Sequence, residues 1–156
     1  MFDISEVCAK IPEDYAIIIK HHPFVNDVQP IPDKYADRVI DLSADNELND
    51  LLFVTDVIIT DYSSLVFEAS LIDIPMIFYV FDLEKYINER DFYFDFKLYA
   101  QGKIVYSTEQ LITAIKNQDY CTERIKPFAD MFFDYRDGKS TERVVNLIYD
   151  NLKNNA

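Results

Sequence analysis

Thr, Asp and Ser side chains fill four of five consecutive positions in this sequence, in the run Thr60-Asp61-Tyr62-Ser63-Ser64. A β-branched apolar stretch, 57–60, leads into the run, and apolar residues recur after it at Leu65, Ala69 and Ile72. This pattern predicts a strand, a tight turn and a helix. Such a turn delivers a helix N-terminus to the carboxyl end of a sheet strand, where unpaired backbone N–H groups favour an anion. We therefore expect the turn to hold a phosphate group.

The same turn has a plainer interpretation, in which one of its oxygens only caps the helix. Asp, Ser and Thr are preferred N-cap residues, and Thr60, Asp61 or Ser63 can fill that position. The two glycines of the chain, Gly102 and Gly138, form neither a dinucleotide fingerprint nor a P-loop. Serine hydroxyls and helix N–H groups must therefore hold any phosphate bound here.

Other residues that can act on a ligand stand near predicted strand ends. Glu68 follows Ser64 by one helical turn, and a carboxylate there can accept both hydroxyls of a ribose. His21 and His22, the two histidines of the chain, end the predicted strand 16–19, at the edge where parallel sheets bind ligands. One imidazole there can donate to a phosphate oxygen or act as an acid or base. No third ligand is near in sequence, so we expect no metal site.

An arginine stands inside an aromatic stretch, 86–96. Arg90 can pair with Asp91 or Asp95, or it can face a phosphate. The aromatic side chains around it favour packing in the core over a role in a ligand site.

Short apolar segments alternate with amphipathic ones along the chain. The predicted strands are 16–19, 39–42, 57–60, 76–80 and 103–106; the predicted helices are 3–10, one presenting Leu48, Leu51 and Leu52 behind a cap at Asp45 or Asn46, 64–72, 82–90, 108–117, 121–133, and one starting at Ser140 or Thr141. Pro127 should kink or restart the helix of 121–133. The alternation predicts an α/β fold, with a parallel sheet covered by helices on both faces.

Composition limits the partners of the chain. Its 156 residues are 49% hydrophobic, which is enough for one domain with a core. With 15 Lys+Arg against 28 Asp+Glu the net charge is −13, so we expect no nucleic-acid partner. Cys8 and Cys121 are expected to be reduced core thiols of a cytoplasmic protein. No signal peptide and no apolar run of about 18 residues is present, so no membrane span is expected.

Several motifs follow one another between about residue 15 and residue 145. They are Lys20-x-His22-Pro23, Asn46-Glu47-Leu48, DVIITDYSSLVFE at 56–68, IPMIFYVFDLEKY at 74–86, Arg90 with Phe92-Tyr93, and Asp137-Gly138 before Arg143. In this order they resemble the C-terminal half of the CDP-glycerol glycerophosphotransferase family, the teichoic acid polymerases and primases.

The resemblance implies a Rossmann-like domain of the GT-B architecture, in which two domains enclose the active site. Family members place a first strand before the segment that corresponds to residues 1–12, and this sequence has no such strand. We therefore expect residues 1–156 to form a single truncated nucleotide-binding domain. The acceptor domain would lie outside this chain. A strand edge left open in this way predicts pairing with a second copy, and hence a homodimer.

The resemblance also implies site roles. The residues that it places on the CDP pyrophosphate are Thr60, Asp61, Ser63 and Ser64. It makes His22 the catalytic residue, with Lys20 and Arg90 as further phosphate contacts. A more distant similarity to UDP-N-acetylglucosamine epimerases, which have T-D-S-G-G and then an acid here, puts Glu68 on the ribose. No cofactor and no metal are implied.

The reaction implied is transfer of glycerol phosphate from CDP-glycerol to a poly(glycerol phosphate) or linkage-unit acceptor. The full-length protein would work in the cytoplasm at the inner face of the cell membrane, and would contact the membrane only peripherally through the missing half. We expect the isolated fragment to be inactive. A CDP-ribitol or nucleotide-sugar transferase for capsule polymers remains an alternative, as does a non-catalytic nucleotide-binding module.

Overall fold

The computed structural model describes residues 2–22, 25, 28, 30–44 and 47–154, apart from the side chain of Asn154. The strands are β1 (Ile17–Ile19), β2 (Val39–Asp41), β3 (Ile58–Thr60), β4 (Met76–Tyr79) and β5 (Lys103–Val105). The helices are α1 (Ile4–Lys10), α2 (Leu48–Leu52), α3 (Leu65–Leu71), α4 (Leu83–Glu89), α5 (Phe96–Tyr99), α6 (Thr108–Asn117), α7 (Ile125–Phe132) and α8 (Ser140–Asn154), with 3-10 turns at Asp33–Tyr35 and Thr122–Arg124. All five predicted strands are present.

The strands form two parallel groups. Strand β1 pairs with β2, and β4 lies between β3 and β5. Among the residues that the structure describes, β1 hydrogen-bonds to no strand except β2, and β3 to none except β4. Each of these two strands therefore keeps one free edge.

Helices α1 and α6 cover one face of the three-stranded group. The buried residues that pack there are Val7, Ile11, Ile77, Tyr79, Val105, Leu111, Ile112, Ala114 and Ile115. Ile17 of β1 and Val57, just before β3, pack against this cluster together. The other side of α1 places Ile4 and Cys8 on Val39 of β2. Helix α1 thus packs on both groups of strands.

Helices α2, α3 and α4 cover the opposite face. The buried residues there are Leu52, Ile58, Ala69, Ile74, Met76, Phe78, Val80, Leu83 and Ala100. Because β4 is covered on both faces, all four of its residues are buried, as its unbroken apolar sequence predicts. The predicted α/β class, a parallel sheet flanked by helices, is confirmed.

The helix predicted over 121–133 is divided in the structure. A 3-10 turn at Thr122–Arg124 precedes α7, which begins at Ile125. Pro127 therefore lies in the first turn of α7, where a backbone N–H has no intrahelical partner to lose. The caps predicted at Asp45 and Asn46 lie outside the described residues, and Glu47 precedes α2.

Apolar side chains are exposed on the paired strands β1 and β2 and on helix α8. Ile18 and Ile40, paired in register, are 37% and 49% exposed. Helix α8 also exposes apolar side chains to solvent; they are Val144, Val145, Leu147, Ile148, Tyr149 and Leu152.

Candidate functional site

The turn after β3 has the predicted strand, turn and helix order. Strand β3 ends at Thr60, and α3 begins at Leu65. The Asp61 Oδ1 atom accepts a hydrogen bond from the Tyr62 backbone N–H at 2.7 Å. The Ser63 Oγ atom accepts one from the Leu65 N–H at 3.2 Å. These two side chains fold the turn and satisfy an N–H group at the start of the helix.

The two serines of the turn differ in what they do locally. Ser63 performs the capping that the plainer interpretation assigns to one residue, although its O–H group can still donate. Ser64 occupies the N-cap position of α3, makes no side-chain capping bond, and is exposed. The turn therefore has a cap and, beside it, a hydroxyl that the helix does not use.

Packing on three sides sets the direction of α3. Ala69 is fully buried against the sheet. The Phe67 ring contacts the rings of Phe128 and Phe132 in α7 at 5.3 and 5.2 Å. Gln101, which is 1% exposed, donates to the Val66 carbonyl oxygen at 2.9 Å. These contacts leave the outer side of the helix to solvent.

Glu68 lies on that outer side. It follows Ser64 by four residues, which brings two side chains to neighbouring positions on a helix surface. Both residues are exposed. The ribose contact expected of Glu68 and the phosphate contact expected of Ser64 are thus compatible with one ligand lying along the start of α3.

The residues that follow β1 connect it to the end of β2. Lys20 donates its ammonium group to the carbonyl oxygens of Leu42 and Ser43, at 3.2 and 2.9 Å. The His21 backbone N–H donates to Ser43 Oγ at 2.9 Å. The hydroxyl and the backbone N–H of Ser43 in turn lower the pKa of Asp41. Lys20, predicted as a phosphate contact, is therefore engaged with the backbone of its own domain.

His22 is exposed at the same end of β1. Its carbonyl oxygen accepts a hydrogen bond from the Val25 N–H at 2.9 Å. Pro23, which completes the predicted motif, lies outside the described residues. The structure thus places His22 beyond the end of β1, in the two-stranded group. The turn of residues 61–64, called the serine turn below, follows β3 in the other group.

Arg90 is exposed at the C-terminal end of α4. Its predicted carboxylate partners are used elsewhere: Asp91 Oδ1 accepts from the Phe92 N–H at 2.8 Å, and Asp95 Oδ1 accepts from the Leu98 N–H at 3.1 Å. Asp91 has a φ of +61°, a conformation that Asp tolerates better than most residues. Within the described part of the chain Arg90 forms no ion pair with either acid.

The aromatic stretch divides into an inner and an outer set. Phe92 and Phe96 pack against the buried cluster, as predicted. Tyr93 and Phe94 are 102% and 52% exposed, so the core prediction is wrong for them.

Sequence reasoning overlooked two residues of this site. The Tyr62 O–H donates to Asp82 Oδ1 at 2.8 Å, and the Tyr62 ring stacks on Tyr86 at 3.8 Å. Tyr62 is the one residue of the run 60–64 with a large ring. That ring was the feature of the sequence from which an inward-facing residue could have been predicted. The structure turns this ring inward, beneath the serines.

Both cysteines are free thiols. Cys8 is buried, and burial raises the pKa of its thiol. Cys121 is only half-buried, so the expectation of a core position is wrong for it.

In the part of the chain that the structure describes, no three His, Cys, Asp or Glu side chains cluster to hold a metal ion. No helix there has the length and apolarity to cross a membrane.

Residues 1–150 match the sequence model of a family described as CDP-glycerol:poly(glycerophosphate) glycerophosphotransferase. The chain belongs to this family. The ribitol-phosphate polymerase TarK of Staphylococcus aureus is 44% identical over 146 residues, which cover 94% of this chain and 28% of TarK. The poly(glycerol phosphate) polymerase of Bacillus subtilis is 35% identical over 155 residues, which cover 94% of this chain and 20% of that enzyme.

A solved structure of the wall teichoic acid polymerase TagF superposes on this chain with a TM-score of 0.77 and 26% sequence identity. The superposition covers 98% of this chain and 38% of the TagF chain. The GT-B-like domain fold implied by the resemblance is thereby confirmed. The chain spans about a quarter of the length of the two curated relatives.

Proposed function

We propose that this chain is the donor-binding domain of a polyol phosphate transferase and that it binds the CDP part of CDP-glycerol. The observation that carries the proposal is the turn of residues 61–64 in a chain of this family. It joins the carboxyl end of a parallel strand to a helix and exposes a serine hydroxyl that the helix does not use. Ligands of open α/β sheets bind at such strand ends.

The serine turn would hold the diphosphate. The O–H groups of Ser63 and Ser64 can each donate to a phosphate oxygen, and hydrogen bonds to charged groups are stronger than neutral ones. Thr60 adds a third hydroxyl at the end of β3. Asp61 can only accept, and its Oδ1 already accepts from the Tyr62 N–H, so we assign it to shaping the turn. Glu68, next along the outer side of α3, would accept from the ribose hydroxyls.

The reaction proposed is a phosphoryl-type transfer. An acceptor hydroxyl, which gives its proton to a base outside these 156 residues, attacks the phosphorus on the glycerol side of the diphosphate; the bond to the bridging oxygen breaks, and CMP leaves. The chemistry needs mainly positioning and stabilisation of the negative charge that gathers on the leaving phosphate. Hydroxyl and backbone donors in the turn would do this, and His22 would donate to a non-bridging oxygen or to the leaving group. Arg90 and Lys20 are further candidates for phosphate contacts; Lys20 would first have to release its two carbonyl partners.

We assign the acceptor-binding part of the reaction to polypeptide outside these 156 residues. Two features support this assignment besides the share of the relatives that the chain spans: the free edges of β1 and β3, and the exposed apolar side chains of α8. That outer part would also carry the peripheral contact with the inner face of the cell membrane. In its absence, two copies of this chain can pair through a free edge, which makes a homodimer the expected form of the isolated domain.

Calorimetry tests the donor proposal. CDP and CDP-glycerol should bind the 156-residue chain, and inorganic pyrophosphate should bind more weakly because it lacks the ribose and the base. UDP serves as the matched control for the base. Absence of binding by both CDP and CDP-glycerol would overturn the proposed function.

CDP-ribitol is the second candidate donor. The observation that favours it is the 44% identity to a ribitol-phosphate polymerase, against 35% to a poly(glycerol phosphate) polymerase. Both donors share the CDP part, so the serine turn would serve either. Binding of CDP-ribitol at least about tenfold tighter than CDP-glycerol, a difference of about 1.4 kcal/mol, would select the ribitol donor.

A further inference from the structure

Tyr62 is the residue of the serine turn that points into the protein. Its ring stacks on Tyr86 of α4 at 3.8 Å, with 26° between the ring planes. Phe96 meets it edge-on at 5.7 Å, and Phe92 lies at 5.8 Å. Phe96 in turn meets the buried Phe78 of β4 at 5.5 Å. The turn is thereby connected through aromatic rings to the middle of the sheet.

The hydroxyl of Tyr62 has one defined acceptor. It donates to Asp82 Oδ1 at 2.8 Å. Asp82 occupies the N-cap position of α4, where an aspartate ordinarily accepts from the N–H groups of the helix, and its side chain makes no such bond here. Burial and this hydrogen bond raise the pKa of Tyr62, which keeps the phenol protonated as a donor. Asp82 thus serves the turn at 61–64 rather than its own helix.

This connection bears on the serines because they are the next residues along the backbone. Packing of the Tyr62 ring restricts the position of the backbone at Tyr62, and the next residue, Ser63, places its Oγ 3.2 Å from the Leu65 N–H. Groups that bind a ligand need support from residues whose own conformations are locked by packing and hydrogen bonds.

We propose that Tyr62 and Asp82 are positioning residues for the diphosphate, a pair that orients the Ser63 and Ser64 hydroxyls without contacting the ligand. The inference rests on the proposed function, since it concerns the same turn. It predicts that breaking the pair weakens every ligand that carries the diphosphate by the same factor, whatever is attached to it.

The test is calorimetry with CDP and with inorganic pyrophosphate on single-residue variants of the 156-residue chain. Tyr62→Phe keeps the ring and removes the hydroxyl, so the chain should fold. It should bind both probes about three- to tenfold more weakly, the factor for one ordinary hydrogen bond. Asp82→Ala should lose the same factor. Asp82→Asn keeps an acceptor oxygen and should bind nearly as wild type.

A double variant and a matched control separate positioning from general stability. Tyr62→Phe combined with Asp82→Ala should bind no more weakly than either change alone, because both remove the same interaction. Tyr79→Phe removes another inward-facing tyrosine hydroxyl, which lies 3.3 Å from Thr108 Oγ1 and packs on the face covered by α1 and α6. It should lower the unfolding temperature about as much as Tyr62→Phe and leave both affinities unchanged.

The outcomes separate the inference from the function on which it rests. If the wild type binds neither CDP nor pyrophosphate, both are overturned. If it binds and Tyr62→Phe binds equally well, the inference alone fails. If Tyr62→Phe weakens binding while Asp82→Ala does not, the tyrosine acts on the ligand directly, and the positioning pair is again overturned.

Discussion

Ser63 accepts a hydrogen bond from the backbone N–H of Leu65 at 3.2 Å, so a residue proposed to bind the donor also caps helix α3. Ser64, the next residue, has no such structural bond. Two adjacent serines with the same proposed ligand therefore differ in their contribution to stability, and this difference can be measured.

Ser64→Ala should weaken CDP binding by about 1.5 to 3 kcal/mol, the range for a hydrogen bond to a charged group, and should leave the free energy of unfolding almost unchanged. Ser63→Ala should weaken CDP as well and also cost roughly 0.5 to 2 kcal/mol of stability, the usual cost of losing a cap. Calorimetry and denaturant unfolding measure the two effects. Equal CDP affinity in Ser64→Ala and wild type would exclude Ser64 from the site.

Glu68→Gln should weaken CDP and leave pyrophosphate binding unchanged or slightly stronger. The carboxylate is proposed to accept from the ribose, which pyrophosphate lacks, and removing its charge relieves repulsion of an anion. Titrations with CDP and with pyrophosphate measure the ratio of the two affinities in each variant. Glu84→Gln, also exposed in the first turn of a helix, is the matched control. If CDP and pyrophosphate are weakened by the same factor, the ribose assignment is wrong.

His22→Ala should depress turnover by about a hundredfold or more, the lower end for a general acid or base, in a longer polypeptide that includes the acceptor-binding half. His21→Ala should have a much smaller effect, because His21 donates to Ser43 Oγ through its backbone N–H, which alanine retains. Initial rates of polymer synthesis from CDP-glycerol or CDP-ribitol give the comparison. A larger loss in His21→Ala would show that the wrong histidine has been assigned.

The start of α8 should be sensitive to acid. Hydrogen bonds from Arg143 and from the Lys139 N–H lower the pKa of Asp137. A carboxyl group whose pKa is lower in the folded state stabilises the fold at pH values above its unfolded pKa of about 3.9. This stabilisation is lost as the pH falls through the pKa of the folded state. At pH 7 the unfolding temperature of Asp137→Asn should therefore be lower than that of the wild type. The difference between the two temperatures should disappear on stepwise acidification to about pH 2. A difference that stays constant with pH would contradict this account.

Gly102→Ala should destabilise the domain strongly. A Cβ atom at Gly102 would lie 2.2 Å from the backbone oxygen of Met76, so β4 and β5 would have to move apart. We expect a loss of about 3 kcal/mol or more in denaturant unfolding, at the upper end for overpacked sites. Gly138→Ala is the control: nothing lies within 4 Å of its Cβ, and its φ of +70° alone should cost about 1 kcal/mol. Similar losses in both variants would rule out the steric explanation.

Much of the fold could be predicted from the sequence because its signals are local. An apolar stretch such as Met76–Tyr79 predicts a strand covered on both faces, and the structure buries all four residues. The turn at 61–64 was predicted as strand, turn and helix for the same reason. The features that were predicted wrongly, such as core positions for Tyr93 and Cys121, depend on which distant segments cover a side chain.

By itself the sequence determined the order of the five strands and of the longer helices, the family resemblance, and the serines, histidine and glutamate proposed as ligand contacts, because periodicity and motifs lie along the chain. Only the tertiary structure decided which of these groups the fold itself uses. In the structure the Lys20 ammonium donates to carbonyl oxygens just after β2, and the Tyr62 hydroxyl donates to Asp82, twenty residues away. Strands β1 and β3 each keep a free edge. Such pairings depend on how strands and helices pack in space, and no local pattern encodes that arrangement.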